Sequence, residues 1–259
     1  MNPILLDDGM VRLVESWLWP FFRVAGLMMS APVIGTRSVP VKVRLVIAIA
    51  VSLVLIPVVP PYAYIDPFTL PGVLVSIQQV IIGVAMGFAV RVVFIVLELA
   101  GQMIGQLMGL MMASMVDPTN GSQVPMIGQF YLLLATLLFL SVDGHLIMIG
   151  ALAESFILLP ISTSGVSRSA VWTLLGWTST ILSTSVLIAL PAIASLLIVN
   201  ISFGVMTRSA PQLNIFAVGF PIMIILGILI ILVTLDGFVP HMLALFEESF
   251  AMTRVLTGG

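Results

Sequence analysis

Cysteine is absent from this chain, which excludes disulfides, thiolate metal sites and thiol catalysis. Lysine occurs once, as Lys42 in RSVPVKVR, so there is no GxxxxGK phosphate loop and no P-loop nucleotide chemistry. The two histidines, His145 and His241, have no HExxH or comparable metal spacing. Asp143 and His145 stand close together, but two ligands are too few for a metal site, and a helix-ending turn is the better reading. No G-x-S-x-G nucleophile elbow is present. Charged side chains make up 8% of the chain and the net charge of -2 points to no partner class. The chain is therefore expected not to be an enzyme, with no catalytic, cofactor-binding or metal residues and no nucleic-acid partner.

What the chain has in abundance is apolar sequence. Hydrophobic residues account for 60% of it and the mean hydropathy is +1.25, values foreign to a water-soluble domain of this length. Apolar runs cover roughly 17–32, 45–60, 72–90, 94–116, 126–140, 146–159, 170–203 and 215–235. Several fall short of the ~20 residues that cross a bilayer comfortably, so hydropathy counts about six spans. The class is all-α, an integral membrane protein. Asp7, Asp8 and Glu15 sit where a signal peptide carries positive charge, so the 17–32 run is expected to be retained. Its Trp17, Trp19, Phe21 and Phe22 read as an interfacial aromatic belt. The basic cluster Arg37, Lys42 and Arg44 is expected on the cytoplasmic side.

Prolines punctuate these runs, among them Pro20, Pro32, Pro57, Pro118, Pro160, Pro191, Pro221 and Pro240. Each removes a helical donor, and such breaks are tolerated in a membrane only where protein or water satisfies the freed groups. Bent, Pro- and Gly-broken hairpins within an assembly are the expectation. LSVDGHLIMIGALAESF (140–156) and LDGFVPHMLALFEESF (235–250) form a faint repeat, consistent with two copies of one hairpin. Arg23, Arg91, Glu98 and Glu154 lie in or beside apolar runs, where charge is costly and usually functional. Arg91 and Glu98 share a helix face but lie ~10 Å apart along the axis. Each is expected to meet a partner on another helix or subunit.

The segment Gly101–Pro125, GQMIGQLMGLMMASMVDPTNGSQVP, is the most distinctive. Gly101, Gly105 and Gly109 form a narrow helical stripe, which lets a neighbouring backbone approach closely in a membrane. The methionines Met108, Met111, Met112 and Met115 centre to one side of it, with Gln102 and Gln106 on the other. Methionine is deformable and suits surfaces that must adapt. The helix then breaks at Asp117-Pro118 and Asn120-Gly121. A tightly seated, soft-sided helix running into a loop suits a gate, although methionines also serve as ordinary core filler.

APVIGTRSVPVKVR (31–44), GVAMGFAVR (83–91), MASMVDP (112–118), QVP (123–125), LFLSVDGH (138–145) and RSAPQLNIFAVGFP (208–221) follow one another in an order that resembles the FliR family. These are flagellar export-gate proteins with counterparts in virulence-associated type III secretion. The resemblance implies a single export-gate domain over 1–259, like a fusion of two smaller gate proteins. About 1–185 would be FliP-like and about 186–259 a FliQ-like hairpin. It implies an inner-membrane, basal-body complex drawn largely out of the bilayer plane. FliP-like, FliQ-like and FlhB-like partners would surround it, with lipid outside and unfolded export substrates through the centre. Met111–Gln123 would occupy the place of the family's pore-blocking loop. The alternative from the residues alone is a secondary transporter or ion channel subunit with its site at Arg91, Glu98 and the broken helices; a membrane scaffold without a pore is a third reading.

Overall fold

A computed structural model describes residues 8–36, 38–110, 126–163, 165–209 and 215–258, the side chains of 8–15 and 215–218 excepted. Every regular element among the described residues is helical. In chain order they are α1 (Asp8–Ser30), α2 (Val41–Leu55) with a 3₁₀ turn at Ile56–Val58, α3 (Leu70–Leu107), α4 (Met126–Ser141), α5 (Gly144–Leu158), α6 (Arg168–Ser209) and α7 (Ile215–Thr257). They form two compact units. The first takes Met1–Val92, Leu140–Thr178 and Phe246–Gly259, and the second Val93–Phe139 and Ser179–Leu245.

Among the described residues, four helices are long and apolar enough to cross a membrane: Val41–Val58, Leu70–Leu107, Arg168–Ser209 and Gly219–Thr257. A fifth crossing is available if α4 and α5, bent by 65° at their junction, count as one. This is fewer than the six expected from hydropathy, because the 72–90 and 94–116 runs continue through Arg91 as one 38-residue helix. At 1.5 Å per residue α3 is about 57 Å long, nearly twice the hydrocarbon thickness. α1, which carries Arg12, Glu15 and Arg23, is not among the four.

Proline breaks the helices less than expected. Pro20, Pro191, Pro221 and Pro240 all lie inside continuous helices. The sharp bend falls instead at Asp143, held in the left-handed conformation at φ 55° between α4 and α5. The two halves of the faint repeat also part company here. Asp143-Gly144 ends one helix and starts another, whereas Asp236-Gly237 sits within unbroken α7.

In the first unit α1 crosses α3 at backbone contact. A Cβ added to Gly26 would stand 2.5 Å from the Val80 carbonyl oxygen, and one on Gly83 would collide with the Arg23 carbonyl. The core beneath joins Trp19, Leu27 and Met28 of α1 to Ile82 and Met86 of α3 and to Leu152 and Phe156 of α5. Trp19 is fully buried in it and Phe22 packs against it. The expected aromatic belt is therefore mostly core, with Trp17 stacked on Phe21 at 5.0 Å beside it.

Arg23 is the largest polar group in this core. Its Nε donates to Gln79 Oε1 at 2.7 Å. One terminal nitrogen donates to Ser155 O at 2.8 Å and Ser155 Oγ at 3.1 Å, the other to Leu159 O at 2.9 Å. The guanidinium also lies 4.2 Å over the Phe156 ring. No carboxylate is among these partners. The charge is met instead by carbonyls at the C-terminus of α5, the negative end of that helix, and by the face of the aromatic ring. Burial pushes the group down to about 9, which leaves it charged at neutral pH.

The last turns of α7 close the first unit. Met252 and Leu256 pack with Ala89, Ala170 and Leu174, and Arg254 reaches Glu154 at 3.1 Å. That ion pair is largely exposed, so it contributes little. In the second unit Phe94 meets Phe139 edge-on at 5.5 Å and Tyr131 meets Phe238 edge-on at 4.7 Å, tying α3 to α4 and α4 to α7.

Candidate functional site

The site expected from sequence is the C-terminal end of α3, in the second unit. Its first component is a close approach between α3 and α4. A Cβ on Gly101 would lie 2.7 Å from Ile127 O and 2.8 Å from Gly128 Cα. One turn on, a Cβ on Gly105 would meet the Ile127 side chain at 3.4 Å, an ordinary van der Waals contact. Gly128 returns the contact, since a Cβ there would lie 3.0 Å from the Glu98 carbonyl. Glycine at 101 is what permits this approach, and a side chain at 128 would crowd it. Glu98 is half-buried, and its Oε1 accepts a 3.3 Å hydrogen bond from Gln102 one turn later.

α3 then ends at a left-handed glycine. Gly109 has φ 78°, a conformation glycine adopts without the Cβ penalty and a common way to stop a helix. Its N–H donates to Gln106 O at 3.0 Å. The Asn200 amide of α6 donates to Leu107 O at 3.4 Å, meeting one of the carbonyls that a helix end leaves open. Phe220 of α7 lies against Gly109, its ring 3.4 Å from where a Cβ would sit.

Met108 is buried, 1% exposed, and lies on Gly227 of α7. A Cβ at Gly227 would be 2.5 Å from both Cγ and Cε of Met108 and 2.7 Å from its sulfur. Met111, Met112, Met115, Asp117, Pro118, Asn120 and Gly121 lie outside the described residues. Arg91 is exposed on an otherwise apolar stretch of α3, in the first unit.

Sequence reading passed over Asn200, Phe220 and Gly227. A glycine inside the unbroken apolar run of α7 costs about 1 kcal/mol relative to alanine, and that penalty was the signal for a packing role. Elsewhere in the second unit, Tyr131, Leu187, Pro191, Thr234, Phe238 and His241 line a cleft of about 320 Å³. His241 Nδ1 lies 2.6 Å from Gly237 O of its own helix. Among the described residues no group of three or more His, Cys, Asp or Glu could hold a metal ion. Of the expected basic cluster, Arg37 is outside the described residues and Lys42 is exposed. Arg44 holds the preceding turn, donating to Val39 O at 2.9 Å and Thr36 O at 3.2 Å.

Comparison with known proteins decides the family. The model of bacterial export proteins, family 1, matches residues 14–249. The flagellar biosynthetic protein FliR of Pectobacterium carotovorum subsp. carotovorum is 38% identical over 241 residues, 93% of this chain and 92% of that protein. The chain belongs to the FliR family. FliR of Escherichia coli K12 is 35% identical over 239 residues, 91% of each chain. FliR of Bacillus subtilis 168 is 26% identical over 235 residues, 88% of this chain and 89% of that one. The similarity thus spans both units and every described helix.

Proposed function

We propose that this chain is a subunit of the flagellar type III protein export gate in the bacterial inner membrane. With FliP-like and FliQ-like partners it forms the channel through which unfolded flagellar proteins cross, and an FlhB-like protein joins on the cytoplasmic side. The carrying observation is the family match along nine-tenths of the chain. A second feature agrees with a life inside an assembly. The windows of α6 and α7 that could cross a membrane are only 17% and 22% buried by the chain itself, against 61% for α3. Purification in mild detergent with mass spectrometry tests the reading. Two smaller membrane proteins should accompany the chain, and recovery alone or as a homo-oligomer would favour a transporter.

In this reading the end of α3 and the segment after it seal the channel, with about 1–185 standing in for the FliP-like part and about 186–259 for the FliQ-like hairpin. Deleting Thr119–Ser122 should make cells sensitive to salt and ionophores while the complex still forms. Trimming a core methionine to alanine would instead cost ~2–5 kcal/mol and damage assembly. A deletion complex that forms and stays impermeable would remove the gate from this segment.

Arg91 supplies a second test. An exposed guanidinium on an apolar helix needs a carboxylate or water, since a bare charge in a dry interior costs several kcal/mol. A neighbouring subunit is proposed to supply its partner. Arg91→Ala should lower co-purification of the partners several-fold while leaving membrane insertion of the chain unchanged. Full assembly with lost export would assign Arg91 to transport instead.

A further inference from the structure

The geometry points to Met108 and Gly227 as a clamp that fixes where α3 ends and the direction in which the chain leaves it at Gly109. The Met108 side chain fills the space that any side chain at Gly227 would need. Because Cγ as well as Cε would stand 2.5 Å from an added Cβ, the methionine cannot escape by swinging only its tip. It would have to leave the slot from Cγ outward. Two further contacts act on the same turn: the Asn200 amide on Leu107 O and the Phe220 ring beside Gly109. All come from α6 and α7, so the final turn of α3 is held by three side-chain contacts within one unit.

The arrangement has one adjustable member. Methionine has three side-chain torsions and a polarisable sulfur, which let it seat in an irregular slot and adapt to changes in its shape. Gly109, in the left-handed conformation, turns the backbone immediately after the clamp. Displacing Met108 therefore changes the direction in which the chain leaves α3 at Gly109 and Leu110. The gating consequence rests on the export-gate reading above; the clamp itself does not.

The absence of cysteine makes the test clean. Leu110, two residues beyond the clamp, is replaced by cysteine in the full chain within its native complex, and its rate of maleimide labelling is measured. Gly227→Ala should raise that rate about tenfold, since overpacking forces side chains or backbone out of place. Met108→Ala together with Gly227→Ala should bring it back toward the starting value, because the new methyl occupies the vacated slot. If the Gly227→Ala complex fails to accumulate, recovery of its level in the double variant carries the same test. Unchanged labelling in Gly227→Ala, or two substitutions acting independently, overturns the clamp. Ion leak recorded on the same cells separates the two ideas. Coupled labelling without leak keeps the clamp and removes the gate. Leak from Met108→Ala without coupling keeps the gate and removes the clamp.

Discussion

Arg23→Ala should destabilise the first unit by about 2–5 kcal/mol, the cost of truncating a large, fully buried side chain that also serves as a hydrogen-bond donor. Four acceptor contacts lose their donor at once: Gln79 Oε1, Ser155 O, Ser155 Oγ and Leu159 O. Ser155 O keeps the Leu159 N–H and the Ser155 hydroxyl keeps Leu152 O. Buried Gln79 Oε1, however, loses its Arg23 donor, at about 1–3 kcal/mol for a buried acceptor left bare, and the missing side chain leaves a cavity beside Phe156. Lysine would keep the charge but not the fork, whose separate nitrogens reach α3 and the end of α5 together. Arg23→Lys should therefore recover only part of the loss. The measurement is the steady-state level of full-length chain in membranes, with thermal stability of the purified complex beside it. Levels and stability equal to those of the unmodified chain in Arg23→Ala would show that the network carries no weight.

The class of the protein was legible because hydropathy is a property of composition, and no tertiary detail can hide runs this apolar. Helix boundaries were less legible. A hydropathy reading ends a run at Arg91 because charge is costly in lipid, but the backbone hydrogen bonds of a helix do not depend on side-chain charge. α3 therefore continues. The two Asp-Gly pairs make the same point from the other side. Identical dipeptides terminate a helix at 143–144 and lie within one at 236–237. In the second case the following Phe238 packs edge-on against Tyr131, so burial outweighs the local preference for a turn. The aromatic cluster misled for a related reason. Trp19 and Trp17 are two residues apart, so they point to different sides of α1, and only the structure shows which side is core.

Of the candidate site, the glycine stripe and Met108 could be named from spacing, yet their counterparts could not. Ile127, Gly128, Asn200, Phe220 and Gly227 lie further along the chain, Gly227 by 119 residues from Met108 (227 − 108). Nothing periodic marks them. What pairs them with α3 is the path of the chain, and a single sequence does not reveal that path. Arg23 is similar. A charge inside an apolar run signals a buried partner, but the habitual search is for an acid. Its partners are an amide, a hydroxyl and backbone carbonyls, which leave no mark among the charged residues.

Gly83→Val should have the second large effect, through the crossing that puts Arg23 in place. Even one added carbon at Gly83 collides with the Arg23 carbonyl oxygen and comes within 2.7 Å of the Leu27 nitrogen. Both are backbone atoms of α1, so no side-chain rearrangement can make room. The helices must move apart. Separation pulls the Arg23 guanidinium away from Gln79, which lies one turn before Gly83 on α3, and loosens Leu27 and Met28 from Ile82 and Met86. The combined loss should exceed the ~1–3 kcal/mol typical of overpacking a core whose side chains can yield, and domains are stable by only ~5–15 kcal/mol. Gly83→Val should therefore accumulate poorly in membranes and fail to assemble. Gly150→Val is the matched control, because a Cβ at Gly150 meets nothing within 4 Å in the chain. If the two variants accumulate equally, the close α1–α3 approach is not what holds the first unit together. If Gly150→Val accumulates but loses its partners, the open face of α5 at that position belongs to an interface, and the chain's own core is unaffected.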